Sequence, residues 1–288
     1  MMKTLSGICL SLVLVIAACG TEDQPGPAAP RSDSTGSPST TVPVASASPT
    51  DSSSGEVTYE VWFADERALH VAYRSKAATP AVGRAAIEDL LAGPNDAGLS
   101  TAIPEGTELL GLDISNGTAT ADLSTEFGEG SGSFAERMRL GQVTFTLTQF
   151  PTVDRVELRM DGEPISAFGS HGIVIDAPLR RGDFEELAPA IIVEGPRPGS
   201  VVTSPVTIGG TANVFEATVS IRILDASGRE IARTFTTATC GTGCRGDYEK
   251  RVKFTVDSTQ AGVIEVFEES AEDGSDINVV SIPVTLSS

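Results

Sequence analysis

Histidine occurs twice, cysteine four times and tryptophan once in these 288 residues, and aromatic residues make up only 5%. Two histidines far apart in sequence, His70 and His171, leave little basis for a Ser-His-Asp catalytic set. Basic residues are scarce too: 20 Lys and Arg stand against 39 Asp and Glu, a formal charge of −19. A chain this acidic is repelled by nucleic acid and by anionic lipid surfaces, so neither is expected as a partner. No apolar run reaches the roughly 20 residues that a membrane-spanning helix needs. No phosphate-cradling glycine motif, EF-hand loop or Cys-x-x-Cys pair is present, so no cofactor and no metal is expected.

What is present begins at the N-terminus. Lys3, an apolar run from Ile8 to Ala18 and small residues at its end follow the signal-peptide pattern. Cys19 comes directly after Ala17-Ala18. Residues 16–19 resemble the lipobox of bacterial lipoproteins. That resemblance implies cleavage before Cys19, a diacylglycerol thioether on its sulfur and further acylation. Two or more chains anchor stably where one is marginal. The alternative is an ordinary signal peptide that happens to contain Cys19. The expected location is the extracytoplasmic face of the cell membrane, held by the lipid on Cys19.

Residues 21–55 hold nine Ser, five Thr and six Pro. With almost no large apolar side chain, this stretch has little burial to offset ordering entropy, and a disordered stalk is expected over residues 19–55. With Cys9 inside the signal, Cys240 and Cys244 are the thiols left over. Their spacing in a glycine-rich loop fits a tight disulfide; free thiols and a metal site are the other readings.

Residues 56–165 form the first expected folded unit. Residues 57–63 and 69–73 are strand-like, being rich in β-branched and aromatic residues. Thr79 and Pro80 suit the start of a helix that Gly93-Pro94 ends, with Ile87, Leu90 and Leu91 as its stripe. Asn116-Gly117 between two apolar runs predicts a hairpin. Ser133-Phe-Ala-Glu136 reads as a capping box opening a second helix, whose apolar face would hold Phe134, Met138, Gly141, Phe145 and Thr148. A strand from Val153 to Met160 closes the unit. The order β-β-α-β-β-α-β predicts an α+β sandwich with helices on one sheet face.

Several of these residues also carry a resemblance. Leu90-Leu-Ala-Gly-Pro94, Ile103-Pro-Glu-Gly-Thr107, Ala121-Asp-Leu-Ser124, Gln142 with Thr146-Leu-Thr148, Phe150-Pro151 and the segment from Val156 to Asp161-Gly162 resemble a GerMN domain. This is the module of spore-germination proteins of the GerM type. The resemblance implies a non-enzymatic module, and by fold analogy with ring-building motifs it implies protein–protein packing or self-assembly.

Residues 166–189 are expected as a connector. Asp183 can cap a short helical turn there, which accounts for Arg181-Gly-Asp183 without an adhesion role. From residue 190 to 288 seven short strands with intervening turns predict an all-β immunoglobulin-like sandwich. Pro196-x-Pro-Gly199, Ser204-Pro205, Gly209 to Ala212, Phe215-Glu216, Val266-Phe-Glu268, Asp273-Gly-Ser275 and Ile282-Pro-Val284 resemble the Gmad class of immunoglobulin-like domains. His70 falls mid-strand, where a packed role is expected. Glu268-Glu269 and Glu272-Asp273 read as a solvated hairpin tip, with Asp273, Ser275 and Asp276 as a weaker calcium alternative. The function expected is an envelope lipoprotein whose two domains bind envelope proteins or copies of themselves. The alternative is binding of a wall polymer or ligand, with the loops at 213–217 and 273–276 as its first candidates.

Overall fold

The structure is a computed structural model that describes residues 55–65, 68–130 and 132–288. The signal segment, Cys19 and the stalk lie outside the described residues. The described chain forms an α+β domain followed by an immunoglobulin-like sandwich, as the sequence predicts.

In the first domain β1 (Glu56–Asp65) and β2 (Ala68–Ala77) make an antiparallel hairpin. The helix α1 (Val82–Leu91) follows. It starts two residues later than expected. Ala81 is its N-cap, and the Thr79 Oγ1 accepts the Ala81 N–H at 3.2 Å, so Thr79 shapes the turn before the helix instead of its first turn. β3 (Leu109–Ser115) and β4 (Gly117–Leu123) form the predicted hairpin. Asn116 and Gly117 sit at φ 50° and 76°, the left-handed values that a two-residue turn of this kind requires. After α2 (Ser133–Leu147) the chain returns as β5 (Val153–Met160), parallel to β4, and turns into the short β6 (Glu163–Pro164).

The sheet expected to be single is two: the β1–β2 pair, and a second sheet in the order β3-β4-β5-β6. The reason lies in α2, which runs along the outer edge of β1 and occupies the place of a third strand. Residues 166–189 are no free linker. β7 (Ala167–Phe168), β8 (Ile173–Val174) and a 3-10 helix at Arg181–Leu187 deliver Phe168, Leu179, Phe184 and Leu187 into the same core as Trp62, Phe127 and Phe145.

The second domain holds β9 (Ile191–Gly195), β10 (Val201–Thr203), β11 (Val206–Ala212), β12 (Thr218–Leu224), β13 (Glu230–Thr237), β14 (Gly246–Val252), β15 (Gln260–Glu269) and β16 (Asp276–Ser287). Five strands in the order β10-β16-β15-β12-β13 face three in the order β14-β11-β9. Their inward residues, among them Ile208, Ile221, Ile223, Ile264, Val266 and Ile282, form the second core. Side chains alternate sides along a strand. In β9 that alternation joins the two halves: Ile192 belongs to the first core, whereas Ile191 and Val193 belong to the second.

Candidate functional site

The site is built from α2 outward. Glu136, Arg139, Gln142, Thr144 and Thr146 are all buried in this helix, which its sequence marks as amphipathic. A buried polar group must find a partner or cost about 1–3 kcal/mol. Two of these side chains, Gln142 and Thr146, together with Gln149 just past the helix end, find partners on the free edge of β1. The Trp62 N–H donates to Thr146 Oγ1 at 3.1 Å and Gln142 Nε2 donates to the Trp62 carbonyl at 3.1 Å. The Glu60 N–H donates to Gln149 Oε1 and Gln149 Nε2 donates to the Glu60 carbonyl, both at 2.6 Å. Gln142 Oε1 also accepts the Ala102 N–H at 2.8 Å. Positions 142 and 146 are one turn apart on the same face of α2, and Gln149 in the turn that follows the helix continues that line. Gln142 and Thr146 are legible in the sequence as motif residues, but their partners on β1 lie 80 or more positions away.

This ladder fixes Glu60 and Trp62 at the junction of the domains. The Glu60 carboxylate is 4% exposed. Its Oε2 accepts the Trp62 indole N–H at 3.1 Å and lies 4.0 Å from the Arg181 guanidinium. Among the described residues no group donates to Oε1. Burial raises the Glu60 pKa, against the opposing pull of Arg181 and then of Arg197. Arg181 is itself enclosed, with its guanidinium carbon 5.0 Å from the Phe145 ring centre and 5.6 Å from that of Trp62. It donates to Thr148 Oγ1 at 2.9 Å. Arg181-Gly-Asp183 is therefore not a presented adhesion loop; Asp183 accepts the Arg180 N–H at 2.8 Å, as the capping expectation has it.

Between the β1–β2 hairpin and the second domain lies a cleft of about 400 Å³. Glu60, Trp62, Val71 and Tyr73 face Val280 and Ile282 across it. Burial, and then the charge of Glu60, push the Tyr73 hydroxyl up to about 12. A second cleft of about 430 Å³ is lined by Glu60, Arg181, Glu194 and Arg197. Arg197 crosses the junction and donates to the Thr58 carbonyl at 2.6 Å.

A second set of bonds also joins the domains. Arg245 donates to Glu185 Oε2 at 2.9 Å and to the Pro189 carbonyl at 2.7 Å. Asn213 Nδ2 donates to Glu185 Oε1 at 3.1 Å. Cys240 and Cys244 are joined in a disulfide with their Cα atoms 5.7 Å apart. Within that loop the Gly243 N–H donates to Asn213 Oδ1 at 3.0 Å. The loop thus holds both Asn213 and the residue that follows Cys244.

The remaining candidates fall elsewhere. His70 is exposed on β2 instead of packed, and it stands at the rim of the junction cleft beside Val71. His171 Nδ1 lies 3.2 Å from both oxygens of Glu136 and 3.2 Å from Ser170 Oγ. One ring nitrogen contacting both groups does not relay a proton from serine to carboxylate, which would need both nitrogens. Ser133 and Glu136 form no capping box. Gly132 is the N-cap, and the Glu136 carboxylate turns inward to accept the Ser170 N–H at 2.8 Å. Phe134 is exposed instead of lying on the buried face.

Glu268 is not part of a solvated tip. It is buried, accepting the Phe215 N–H at 2.7 Å and the Asn278 amide at 2.8 Å. Asp276 pairs with Arg222 at 2.6 Å and Glu269 with Arg233 at 2.8 Å. Asp273 accepts from the Ser275 N–H at 3.0 Å. Among the described residues no group of His, Cys, Asp and Glu is placed to hold a metal ion. The loops at 213–217 and 273–276 are ordered by these internal bonds.

Residues 48–166 match the family described as sporulation and spore germination. Residues 190–275 match the family described as an immunoglobulin-like domain of bacterial spore germination. Among solved structures, the first GerMN domain of the sporulation protein GerM from Bacillus subtilis is 28% identical, over 44% of this chain and 99% of that one, with a TM-score of 0.37. The tandem GerMN domains of the same protein are 22% identical, over 68% of this chain and 61% of that one, with a TM-score of 0.38. A Clostridium perfringens protein described provisionally as a lipoprotein is 24% identical, over 46% of this chain and 93% of that one, with a TM-score of 0.34. No curated protein matches the chain.

Proposed function

From the premise that this chain joins a sporulation and spore germination domain at residues 48–166 to an immunoglobulin-like domain of bacterial spore germination at 190–275, we propose that it is a non-enzymatic interaction protein of the cell envelope. In this reading a lipid on Cys19 anchors it to the extracytoplasmic face of the membrane, and residues 21–55 tether the two domains away from the surface. The observation that supports the reading best is the junction. β9 shares its side chains between two cores, and Glu185, Asn213 and Arg245 clamp the domains together. Such a joint sets a fixed relation between two surfaces, which suits a protein that docks others. Among the described residues the junction has a buried carboxylate but no nucleophile poised beside a base, which suits binding better than turnover.

Two experiments test this. Photo-crosslinkers placed in living cells at Phe134 and Leu110, which are exposed on the first domain, should capture one recurrent envelope protein or a second copy of the chain. Capture of wall polymer alone would transfer the role to polymer binding, and no capture from either position would reject the proposal. Separately, Cys19→Ser should move the protein from the membrane pellet to the soluble fraction; unchanged pelleting would reject the anchor.

A further inference from the structure

The hairpin of the first domain has one closed edge and one open edge. Glu60 and Trp62 direct their N–H and C=O groups to α2, through Gln149, Gln142 and Thr146. In an antiparallel pair, residues whose backbone groups point away from the partner strand stand opposite residues that also point away. Glu60 is opposite Tyr73, and Trp62 is opposite Val71. The backbone groups of Val71 and Tyr73 therefore face outward from β2. β2 pairs with β1 alone. The Tyr73 carbonyl takes a bond from its neighbour Arg74 at 3.0 Å, but among the described residues nothing pairs with the backbone of Val71.

This open edge borders the junction cleft, since Val71 and Tyr73 both line it. Directly opposed residues share a sheet face, so Val71 and Tyr73 lie on the same face as Trp62 and Glu60. Across the cleft stand Pro198, Val280 and Ile282, an apolar wall from the second domain. Val279 at the rim is 43% exposed. A strand added beside β2 would place every second side chain in this apolar space. One of those positions would meet Glu60, whose Oε1 has no donor among the described residues.

We propose that the cleft takes an extended segment of a partner protein, which adds to β2 as a third strand and presents apolar side chains flanking one cationic side chain to the Val71–Tyr73 face. Backbone pairing at Val71 supplies affinity, and the cleft supplies selectivity. The cationic position is chosen by charge complementarity with Glu60 and with a chain of net charge −19. The inference rests on the reading of this chain as an interaction protein and names one surface of it.

The probe is the labelled peptide acetyl-Val-Thr-Lys-Thr-Val-amide, read by fluorescence anisotropy against the full chain in detergent. It should bind, and replacing its Lys by Glu should weaken binding at least tenfold. Glu60→Gln should shrink that discrimination to within about threefold. Val71→Pro removes the outward N–H without breaking a bond of the β1–β2 ladder, so the variant should melt like the parent and bind no probe. A probe methylated on its backbone amides repeats that test from the ligand side and should also fail. Binding that survives Val71→Pro or amide methylation, absence of binding to the parent, or equal binding of the Lys and Glu probes would overturn the proposal. So would displacement of the probe by a synthetic peptide of residues 21–55, which would make the occupant the chain's own tether. Crosslinks from Phe134 and Leu110 that persist in cells after Val71→Pro would leave the interaction role standing while this surface falls.

Discussion

Asp225 shows how much one side chain organises. Its Oδ1 accepts the Ser227 N–H at 2.9 Å and the Arg229 N–H at 3.1 Å, and its Oδ2 accepts Arg229 Nε at 3.0 Å. The Ser227 hydroxyl bond, and then Arg229, lower its pKa from 3.8 to about 2. A carboxylate whose folded pKa is depressed stabilises the protein above its unfolded pKa and loses that contribution as the pH falls through the folded one. The stability difference between the parent and Asp225→Asn should therefore be full above about pH 5 and vanish towards pH 2, read from urea melts at each pH. Gln142 is a second case. Gln142→Leu keeps volume but leaves the buried Trp62 carbonyl and the half-buried Ala102 N–H unpaired, and should cost about 2–3 kcal/mol in a denaturant melt.

At the scale of elements, the sequence was legible where local chemistry and fold agree. The Asn116-Gly117 hairpin and the alternation of the sandwich strands are local signals, and the structure contains them. The position of α2 is legible, but its buried polar face is not, for a physical reason. A pattern of spacing assumes that polar means exposed, yet here the helix serves as the missing neighbour of a strand and needs polar groups facing inward. Glu136 followed the same logic, leaving its own helix end to hold residues 169–171. Strand spacing is likewise decided by contact. A Cβ on Gly210 would lie 2.0 Å from the Ile192 carbonyl oxygen. Gly210→Ala should force β9 away from β11 and cost about 2 kcal/mol or more, seen as a lowered Tm with the first domain's signal disturbed through Ile192.

Across the whole molecule the question is whether the two domains act as one body. Arg245 is the residue that most tests this, because it reaches Glu185 and Pro189 from the far side of the disulfide loop. Arg245→Ala should cost about 1–2 kcal/mol and split a single calorimetric transition into two. A single unsplit transition would place the coupling on β9 instead. Reduction of Cys240–Cys244 opens a loop of sequence separation 4 and should cost only about 2 kcal/mol, but it should loosen Arg245 in the same way.

By itself the sequence determined the fold classes, the hairpin at Asn116-Gly117, the sandwich strands other than the short β10, and the acidic, histidine-poor composition. Each of these follows from composition or from residues within a few positions of one another. Only the tertiary structure decided what Glu60, Gln142, Gln149 and Arg181 do. Their partners come from segments far apart in the chain. A buried polar side chain reads the same as an exposed one until the fold shows which backbone group it completes.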